Sequence, residues 1–438
     1  MQTTINNLFS FIRLSPTSYH TVDTMKAALQ KEGYMQLEES RPWALAPGGK
    51  YFVTRNLSSL IAFRVPEESP DSFHIIASHS DSPAFKIKEM PELPSAGLYV
   101  RLNVERYGGM LMAPWLDRPL SVAGRILVEE DGRLRTRLVN IDRDLLLIPN
   151  LAIHMNKEAN AGFKPDPQKD MLPRCGDFAR RAPSLRSVAE AAGTVPERIA
   201  GHDLLLYCRM PGICWGAAGE FISAPRLDDL QCVFASLTAF LNTERESGST
   251  SIPVHCVLDN EEVGSGTKQG AASTFLKDTL RRICLCLGKT EEDYLAMLSS
   301  SFMLSADNAH AVHRNQPERS DAVNRPAMNQ GIVIKYNGNQ RYTTDAVSAA
   351  LFKTICRRAG VPFQTFLNRS DMAGGSTLGN ISNAQVALNT VDIGLAQLAM
   401  HSPFETAGAS DTDNMIRAME EFFRCGIRCL GDGSYDII

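Results

Sequence analysis

The sequence predicts an α/β fold in which a mostly parallel sheet has helices on both faces and is interrupted by a β-rich inserted domain. Before residue 90 and after residue 225, apolar strand-like runs alternate with helical patterns, as in a parallel sheet that is covered on both sides. Between residues 91 and 224, alternating segments and close turns indicate a β-rich unit. The 438 residues suffice for two or three domains. We therefore expect a discontinuous domain of residues 1–90 and 225–438, and an inserted domain of residues 91–224.

The composition excludes several classes of protein. Lys and Arg number 45 against 49 Asp and Glu, so the formal charge of −4 gives no indication of a nucleic-acid partner. Hydrophobic residues make up 44% and charged residues 21%, which is typical of a folded globular chain. The sequence contains no apolar run long enough to span a membrane and no signal peptide, and its ten cysteines include no CxxC pair. We expect a cytoplasmic protein with reduced thiols and no membrane partner.

The first part of the chain predicts one helix and three strands. Residues 18–32 carry one apolar helical face, and Gly33 ends the pattern. The strands are predicted at 50–54, 60–65 and 73–78, the first two as a hairpin-like pair near Gly48-Gly49. The third is apolar and stops at a polar cluster, which is where α/β folds place their chemistry.

The later elements follow the same rules. In the insertion, alternation predicts strands at 98–104 and 123–129. After residue 225, helical patterns occur at 228–243, 344–358 and 412–430, and strand-like runs occur at 253–258, 303–305, 331–336, 363–367 and 384–391.

Five polar clusters lie beside predicted strands and contain the carboxylate and imidazole groups that bind divalent cations. The clusters are His79-Ser80-Asp81, Leu227-Asp228-Asp229, Asp259-Asn260-Glu261-Glu262, Ala306-Asp307-Asn308-Ala309-His310 and Met400-His401-Ser402. Each one alone is more often a helix cap or a surface group than a ligand. Strand ends of one parallel sheet converge on a single crevice, however, and carboxylates crowded there need a cation. The set is sufficient for a site with two metal ions.

Two of these clusters suggest a division of roles. Successive residues at a strand end point in different directions, so one of Glu261 and Glu262 can bind metal while the other acts as a general base. Asp81 is placed to hold the second ring nitrogen of His79, or it merely opens the turn before Pro83. We interpret Asp259 as a turn or cap residue.

Six strings, in this order, resemble the motifs of the aspartyl aminopeptidase family of dizinc exopeptidases, and most closely its bacterial members. They are SHSDSP, APRLDDL, LDNEEVGS, SADNAHAVH, VIKYNGNQRY and LAMHSPFE, and they cover the chain nearly from end to end. The resemblance implies a zinc-exopeptidase-like fold and a metal-dependent aminopeptidase. It also implies hydrolysis of the N-terminal residue of peptides, with a preference for Asp or Glu, by a metal-bridging water that Glu261 activates.

The resemblance also implies roles for individual residues. Asp228 would bridge two zinc ions, His79 and Asp307 would complete one site, and Glu262 and His401 the other; cobalt or manganese would also suit these ligands. His310 and Lys335 would contact substrate. His154 would reach an active site, in the family often that of a neighbouring subunit, or would bind metal. The family further implies a homo-oligomer, with a dodecamer as one form, and short peptides as substrates.

Several alternatives remain open from the residues alone. Lys335 can be a solubilising charge at a strand edge, and Gly374-Gly375-Ser376 either contacts substrate or forms a simple turn. Two other functions also fit the pattern: a dizinc deacylase acting on N-acyl amino acids, and a metal-free peptide-binding protein that keeps the fold of a peptidase. A free-amine requirement would exclude the deacylase, and bound metal would exclude the metal-free protein.

Overall fold

The computed structural model describes residues 1–95, 99–177, 184–243 and 250–438. Its helices are α1 (Gln2–Leu14), α2 (Ser18–Lys31), α3 (Ser184–Ala191), α4 (Leu227–Asn242), α5 (Phe275–Cys286), α6 (Glu291–Ser299), α7 (Ala346–Arg358), α8 (Leu378–Ser382) and α9 (Asp411–Arg424). Among the described residues, no helix has both the length and the apolar character needed to cross a bilayer.

The strands form two large sheets and two smaller ones. They are β1 (Met35–Leu37), β2 (Lys50–Arg55), β3 (Ser59–Arg64), β4 (Ser72–His79), β5 (Ala84–Ser95), β6 (Tyr99–Tyr107), β7 (Leu120–Glu130), β8 (Arg133–Asn140), β9 (Arg174–Asp177), β10 (Ile199–Cys208), β11 (Ile213–Trp215), β12 (Phe221–Ala224), β13 (Ser251–Leu258), β14 (Phe302–Ala306), β15 (Ala309–His310), β16 (Ile332–Tyr336), β17 (Phe363–Leu367), β18 (Asn389–Gly394), β19 (Ala396–Leu398), β20 (Glu405–Gly408), β21 (Ile427–Gly431) and β22 (Ser434–Ile437).

The largest sheet has nine strands in the order β1-β2-β3-β13-β4-β14-β18-β16-β17. Its centre is parallel, because β4 pairs in parallel with both β13 and β14, and β14 pairs in parallel with β18. Alternate residues of β4 enter separate cores: Ile76 packs with α1, α2, α4, α7 and α9, whereas Ile75 and Ala77 pack with α5 and α6. The predicted α/β class, with a mostly parallel sheet and helices on both faces, is confirmed.

A second, six-stranded sheet has the order β8-β7-β10-β5-β6-β9 and is antiparallel throughout. It encloses its own apolar core, which includes Phe85, Trp115 and Ile126. β5 begins at Ala84, so the predicted boundary at residues 90–91 falls inside this strand. β12, β20 and β19 belong to a third sheet of five strands, which lies beside the site described below.

Three predicted elements differ from the structure. The helix expected at 412–430 ends at Arg424, because Cys425 is extended and the chain enters the hairpin of β21 and β22. The strand expected at 384–391 is shifted to Asn389–Gly394, where it pairs with β14. The strands β2 and β3 do form a hairpin, but their turn lies at residues 56–58 instead of Gly48-Gly49.

Other parts of the chain agree with expectation or add to it. The strand expected at 98–104 is seen from Tyr99 onward, and Leu98 lies outside the described residues. The sequence-based prediction lacks helices α1, α3, α5, α6 and α8, although the buried residues of α5 have helical spacing. All ten cysteines are free thiols, as expected.

Candidate metal centre

The carboxyl ends of three neighbouring parallel strands bring four candidate ligands to one edge of the large sheet. His79 is the last residue of β4, and Asp307 directly follows β14. Glu261 and Glu262 lie just beyond β13, in a short 3-10 helix. Because β4 lies between β13 and β14 and is parallel to both, these side chains meet at the same end of the sheet.

Asp228 and His401 reach the same place from outside that sheet. Asp228 lies in the first turn of α4, two residues after Arg226, whose left-handed backbone turns the chain out of β12. His401 lies between β19 and β20 and also has a left-handed backbone, with φ of 65°. The third sheet therefore positions the ligands that the parallel strands do not carry.

The Asp228 carboxylate lies between two groups of ligands. Its Oδ1 is 3.4 Å from His79 Nε2, which in turn is 3.8 Å from Oδ1 of Asp307. Its Oδ2 is 3.5 Å from His401 Nε2, which is 3.3 Å from Oε2 of Glu262. Each oxygen of Asp228 thus belongs to a different group. A third grouping joins His79 with Glu261 and Glu262.

These separations fit zinc. Bonds of about 2.0–2.1 Å to N and O ligands in tetrahedral geometry separate the ligand atoms by about 3.4 Å. The buried oxygens Asp228 Oδ1 and Glu262 Oε1 also receive no well-formed hydrogen bond from any described residue. A buried carboxylate oxygen without a donor is costly, and a metal ion would supply the missing partner.

The electrostatics of the cluster favour added positive charge. Burial, followed by the charge of Asp228, raises the pKa of Glu262 well above its usual value. Burial also raises the pKa of Glu261 to about 7, with a contribution from Asp307. Burial opposes charge on His79, yet Asp229 and the other nearby carboxylates hold its pKa well above the usual range. Crowded carboxylates that retain protons, beside a histidine that takes one up, indicate a place for cations.

Asp228 itself behaves differently. Burial alone would raise its pKa, but the nearby imidazole groups of His401 and His79 outweigh burial and lower it. Asp228 is therefore ionised and available to both groups of ligands.

Asp81 supports the ligands through several contacts. His79 Nδ1 is 3.1 Å from the Asp81 carbonyl oxygen and 3.4 Å from its carboxylate. The same carboxylate accepts the backbone N–H groups of Glu261 and Glu262 at 3.1 and 3.2 Å. Tyr107, from the six-stranded sheet, donates its hydroxyl to Asp81 at 2.7 Å. Asp81 therefore does more than open the turn before Pro83.

Three residues in or near the centre have no role in the sequence-based prediction. Glu405 is buried and accepts the backbone N–H of Asp228 at 2.9 Å and that of His401 at 2.7 Å. Asp229 accepts the backbone N–H of His79 at 3.2 Å. Tyr107 belongs to a distant part of the sequence. Glu405 and Asp229 lie inside the strings LAMHSPFE and APRLDDL, so adjacency to a ligand was the available signal.

A pocket opens beside the ligands and contains the predicted substrate residues. Its lining includes His310, Lys335, Gly375, Ser376, Thr377, Tyr342, Phe366 and Met400. Lys335 is buried, and its Nζ donates to Oδ2 of Asp307 at 3.1 Å. Burial disfavours this charge, but Asp307 raises the Lys335 pKa above its usual value. Lys335 is thus an internal cation, and Gly375 and Ser376 belong to the pocket wall.

The remaining candidates lie elsewhere. His154 is exposed, in a loop of residues 149–173, and does not line the pocket of its own chain. Asp259 is buried, and its carboxylate accepts the backbone N–H of Asn260 at 2.9 Å, as expected of a turn residue. His74 and His255 stack on Phe422 and Phe240 in the core.

Comparison with known proteins identifies the family. The model of the aminopeptidase I zinc metalloproteases (M18) matches residues 11–423. The chain belongs to this family. It is a zinc-dependent aminopeptidase, as the resemblance implied.

Relatives and solved structures extend this match over nearly the whole chain. A probable M18 family aminopeptidase 2 of Clostridium acetobutylicum is 45% identical over 95% of this chain and 97% of its own length. The corresponding protein of Pseudomonas savastanoi is 38% identical, with the same coverage. The cryo-EM structure of the Ape4 and Nbr1 complex aligns with a TM-score of 0.93 and 36% identity, over 96% of this chain and 85% of the other. The S. cerevisiae mApe1 dodecamer aligns with a TM-score of 0.84 and 29% identity, over 97% of both chains.

Proposed function

We propose that this M18 aminopeptidase uses two zinc ions to remove the N-terminal residue of short peptides, with a preference for Asp or Glu. The observation that carries the two-ion proposal is the position of Asp228, whose oxygens face His79 and Asp307 on one side and Glu262 and His401 on the other. A carboxylate shared in this way is what a pair of ions requires. Cobalt and manganese suit the same ligands.

Glu261 is the proposed general base. It lines the pocket beside the ligands, and Asp81 fixes its backbone. When bound, zinc ions polarise the scissile carbonyl and lower the pKa of a water molecule. Glu261 takes the proton from the attacking water and returns it to the amine that leaves when the peptide bond breaks.

Lys335 is the proposed acidic-side-chain receptor. Its ammonium group has three N–H donors, and Asp307 accepts one of them. The other donors remain for a substrate carboxylate in the pocket that His310, Tyr342 and Ser376 also line. The charge of Lys335 thus serves both Asp307 and the first side chain of the peptide.

Assembly is the last part of the proposal. The mApe1 structure is described as a dodecamer, and we propose that this chain also forms a closed homo-oligomer. His154 would then contact substrate in the pocket of a neighbouring copy, since it is exposed and remote from its own. Residues 91–224 would form the oligomerisation domain, with exposed Leu151, Ile153 and Met155 as contact candidates.

The replacement Glu261→Gln tests the mechanism. We expect the variant to keep its zinc and to lose about 10²–10⁴-fold in kcat, the range typical of a lost general base. Zinc content and hydrolysis of Glu-arylamide are measured together. The matched control is Glu420→Gln, an exposed carboxylate that bonds Asn242 and should leave both unchanged.

Three results would contradict the proposal. Activity like that of the unchanged enzyme would remove Glu261 as the base. Loss of zinc from the variant would make Glu261 a ligand, as its grouping with His79 and Glu262 allows. Equal hydrolysis of N-acetylated and free-amine substrates by the unchanged enzyme would favour a deacylase.

A further inference from the structure

Glu405 occupies an unusual position relative to the ligands. Its side chain is 1% exposed, and its two carboxylate oxygens hold two different ligand residues by their backbones. Oε2 accepts the N–H of Asp228 at 2.9 Å, and Oε1 accepts the N–H of His401 at 2.7 Å. One side chain therefore links two ligand residues that lie far apart in the sequence.

The third sheet fixes Glu405 in this place. Glu405 is the first residue of β20, and it is paired with Ala224, the last residue of β12. From Ala224 the chain passes through Arg226 to Asp228, and on the other side His401 lies just before β20. The ladder between β12 and β20 thus sets where the Glu405 carboxylate sits between the two ligands.

His401 depends on such a support. Its φ of 65° lies in the left-handed region, which is unfavourable for a residue with a side chain. The Glu405 bond to its N–H and a bond from the Leu111 N–H to its carbonyl at 3.1 Å hold this conformation. Loss of Glu405 removes the shorter of the two contacts.

The other group of ligands is held by different partners. The backbone N–H of His79 donates to Asp229 at 3.2 Å, and that of Asp307 donates to the Ile393 carbonyl at 3.0 Å. Neither bond involves Glu405. Among the described residues, Glu405 is hydrogen-bonded to this side of the centre through the shared ligand Asp228.

We infer that Glu405 is a positioning residue that holds Asp228 and His401 at the separation that the Glu262–His401 metal site needs, and that it acts far less on the His79–Asp307 site. This inference rests on the proposed two-ion function. A residue that orients a ligand is typically worth 10- to 100-fold in metal affinity. Replacement of Glu405 should therefore lower the affinity for the zinc ion at the Glu262–His401 site and leave the other ion tightly bound.

The test is Glu405→Gln, with zinc stoichiometry and affinity measured by competition against a chelating indicator. Glutamine keeps the size of the side chain, but its amide oxygen can accept only one of the two N–H groups and its NH2 group faces the other. We expect two tight zinc ions in the unchanged enzyme, and in the variant one tight ion and one weakened 10- to 100-fold. Glu405→Asp, which keeps the charge but has a shorter reach, should show a smaller loss and serves if the glutamine variant does not fold.

The matched control is Asp411→Asn. The Asp411 carboxylate is also buried and also holds two backbone N–H groups, those of Asn329 at 2.6 Å and Gly331 at 3.0 Å, but it contacts no candidate ligand. Replacement of a purely structural carboxylate should lower the melting temperature without changing either zinc affinity. This control therefore separates a loss of stability from a loss of ligand positioning.

Each other outcome overturns the inference. Two unchanged affinities in the Glu405 variants would show that the contacts do not position the ligands. Equal weakening of both ions, or the same zinc loss in Asp411→Asn, would show a general structural role. One zinc ion in the unchanged enzyme would refute the two-ion centre itself, a result distinct from those above.

Discussion

Replacement of Lys335 separates its two proposed roles. In the structure its Nζ lies 3.1 Å from Oδ2 of Asp307, inside the pocket wall. Lys335→Ala affects the hydrolysis of every substrate, because Asp307 loses its charged partner in all cases. It removes an additional hydrogen bond only when the substrate has a carboxylate in its first side chain.

The magnitude of that additional loss follows from the kind of contact. A hydrogen bond between charged groups contributes about 1.5–3 kcal/mol, and about 1.4 kcal/mol corresponds to a factor of ten. We therefore expect kcat/KM for a Glu-arylamide to fall about 10- to 150-fold more than kcat/KM for a Gln-arylamide. The two substrates have nearly the same shape, so their ratio isolates the charge.

The assay measures kcat/KM for both arylamides on the unchanged enzyme, on Lys335→Ala and on Lys353→Ala. Lys353 lies on α7 next to the Tyr336 ring, outside the pocket lining, and its loss should leave the ratio unchanged. Equal losses for Glu and Gln substrates in Lys335→Ala would refute the receptor role. Lys335 would then serve only to neutralise Asp307.

Two further predictions concern the scaffold. A Cβ at Gly394 would overlap the backbone carbonyl oxygen of Asp307, so we expect Gly394→Ala to displace this ligand and to lower the zinc content measured by metal analysis. The control is Gly338→Ala, where a Cβ would lie in open space and should have no effect. Full zinc content in Gly394→Ala would contradict the expectation. Burial raises the pKa of Asp411 from 3.8 to about 6. The folded state therefore holds this proton more tightly than the unfolded state, and the free energy of unfolding falls as the pH rises from about 4 to 6. At about 1.4 kcal/mol per pH unit, the loss is about 3 kcal/mol. Denaturant unfolding at pH 4 and pH 7 should show this loss in the unchanged enzyme but not in Asp411→Asn, and an identical pH dependence in both would contradict it.

The sequence was most informative where a buried strand stops at a polar residue. The apolar run before His79 and the run before Asp307 are β4 and β14, whose side chains are buried on both faces of the sheet. Most positions of such strands are apolar, apart from small polar residues such as Ser78 and Ser305 and the core residue His74, so the polar cluster after the strand marks the edge of the sheet. Adjacency of the strands then brings these residues together.

Long-range contacts are the part that local patterns do not contain. Tyr107 reaches Asp81 from another sheet, and Glu405 acts through backbone N–H groups of Asp228 and His401. Glu405 begins a short strand, where an acidic residue has no periodic pattern around it. Its role depends on the pairing of β12 with β20, and that pairing is a property of the folded chain.

The contacts of Asp81 and Glu405 explain how so many carboxylates can share one site. Each of these two buried side chains accepts two backbone N–H groups, Asp81 those of the adjacent Glu261 and Glu262, and Glu405 those of Asp228 and His401, so its oxygens have donors without a metal ion. Asp228, Glu262 and Asp307 have far fewer donors: two of them have an oxygen without one, and Asp307 has Lys335. Carboxylate oxygens that the chain supplies with donors thus hold the backbone, and ligand oxygens that it leaves without a donor lie where the zinc ions are proposed to bind.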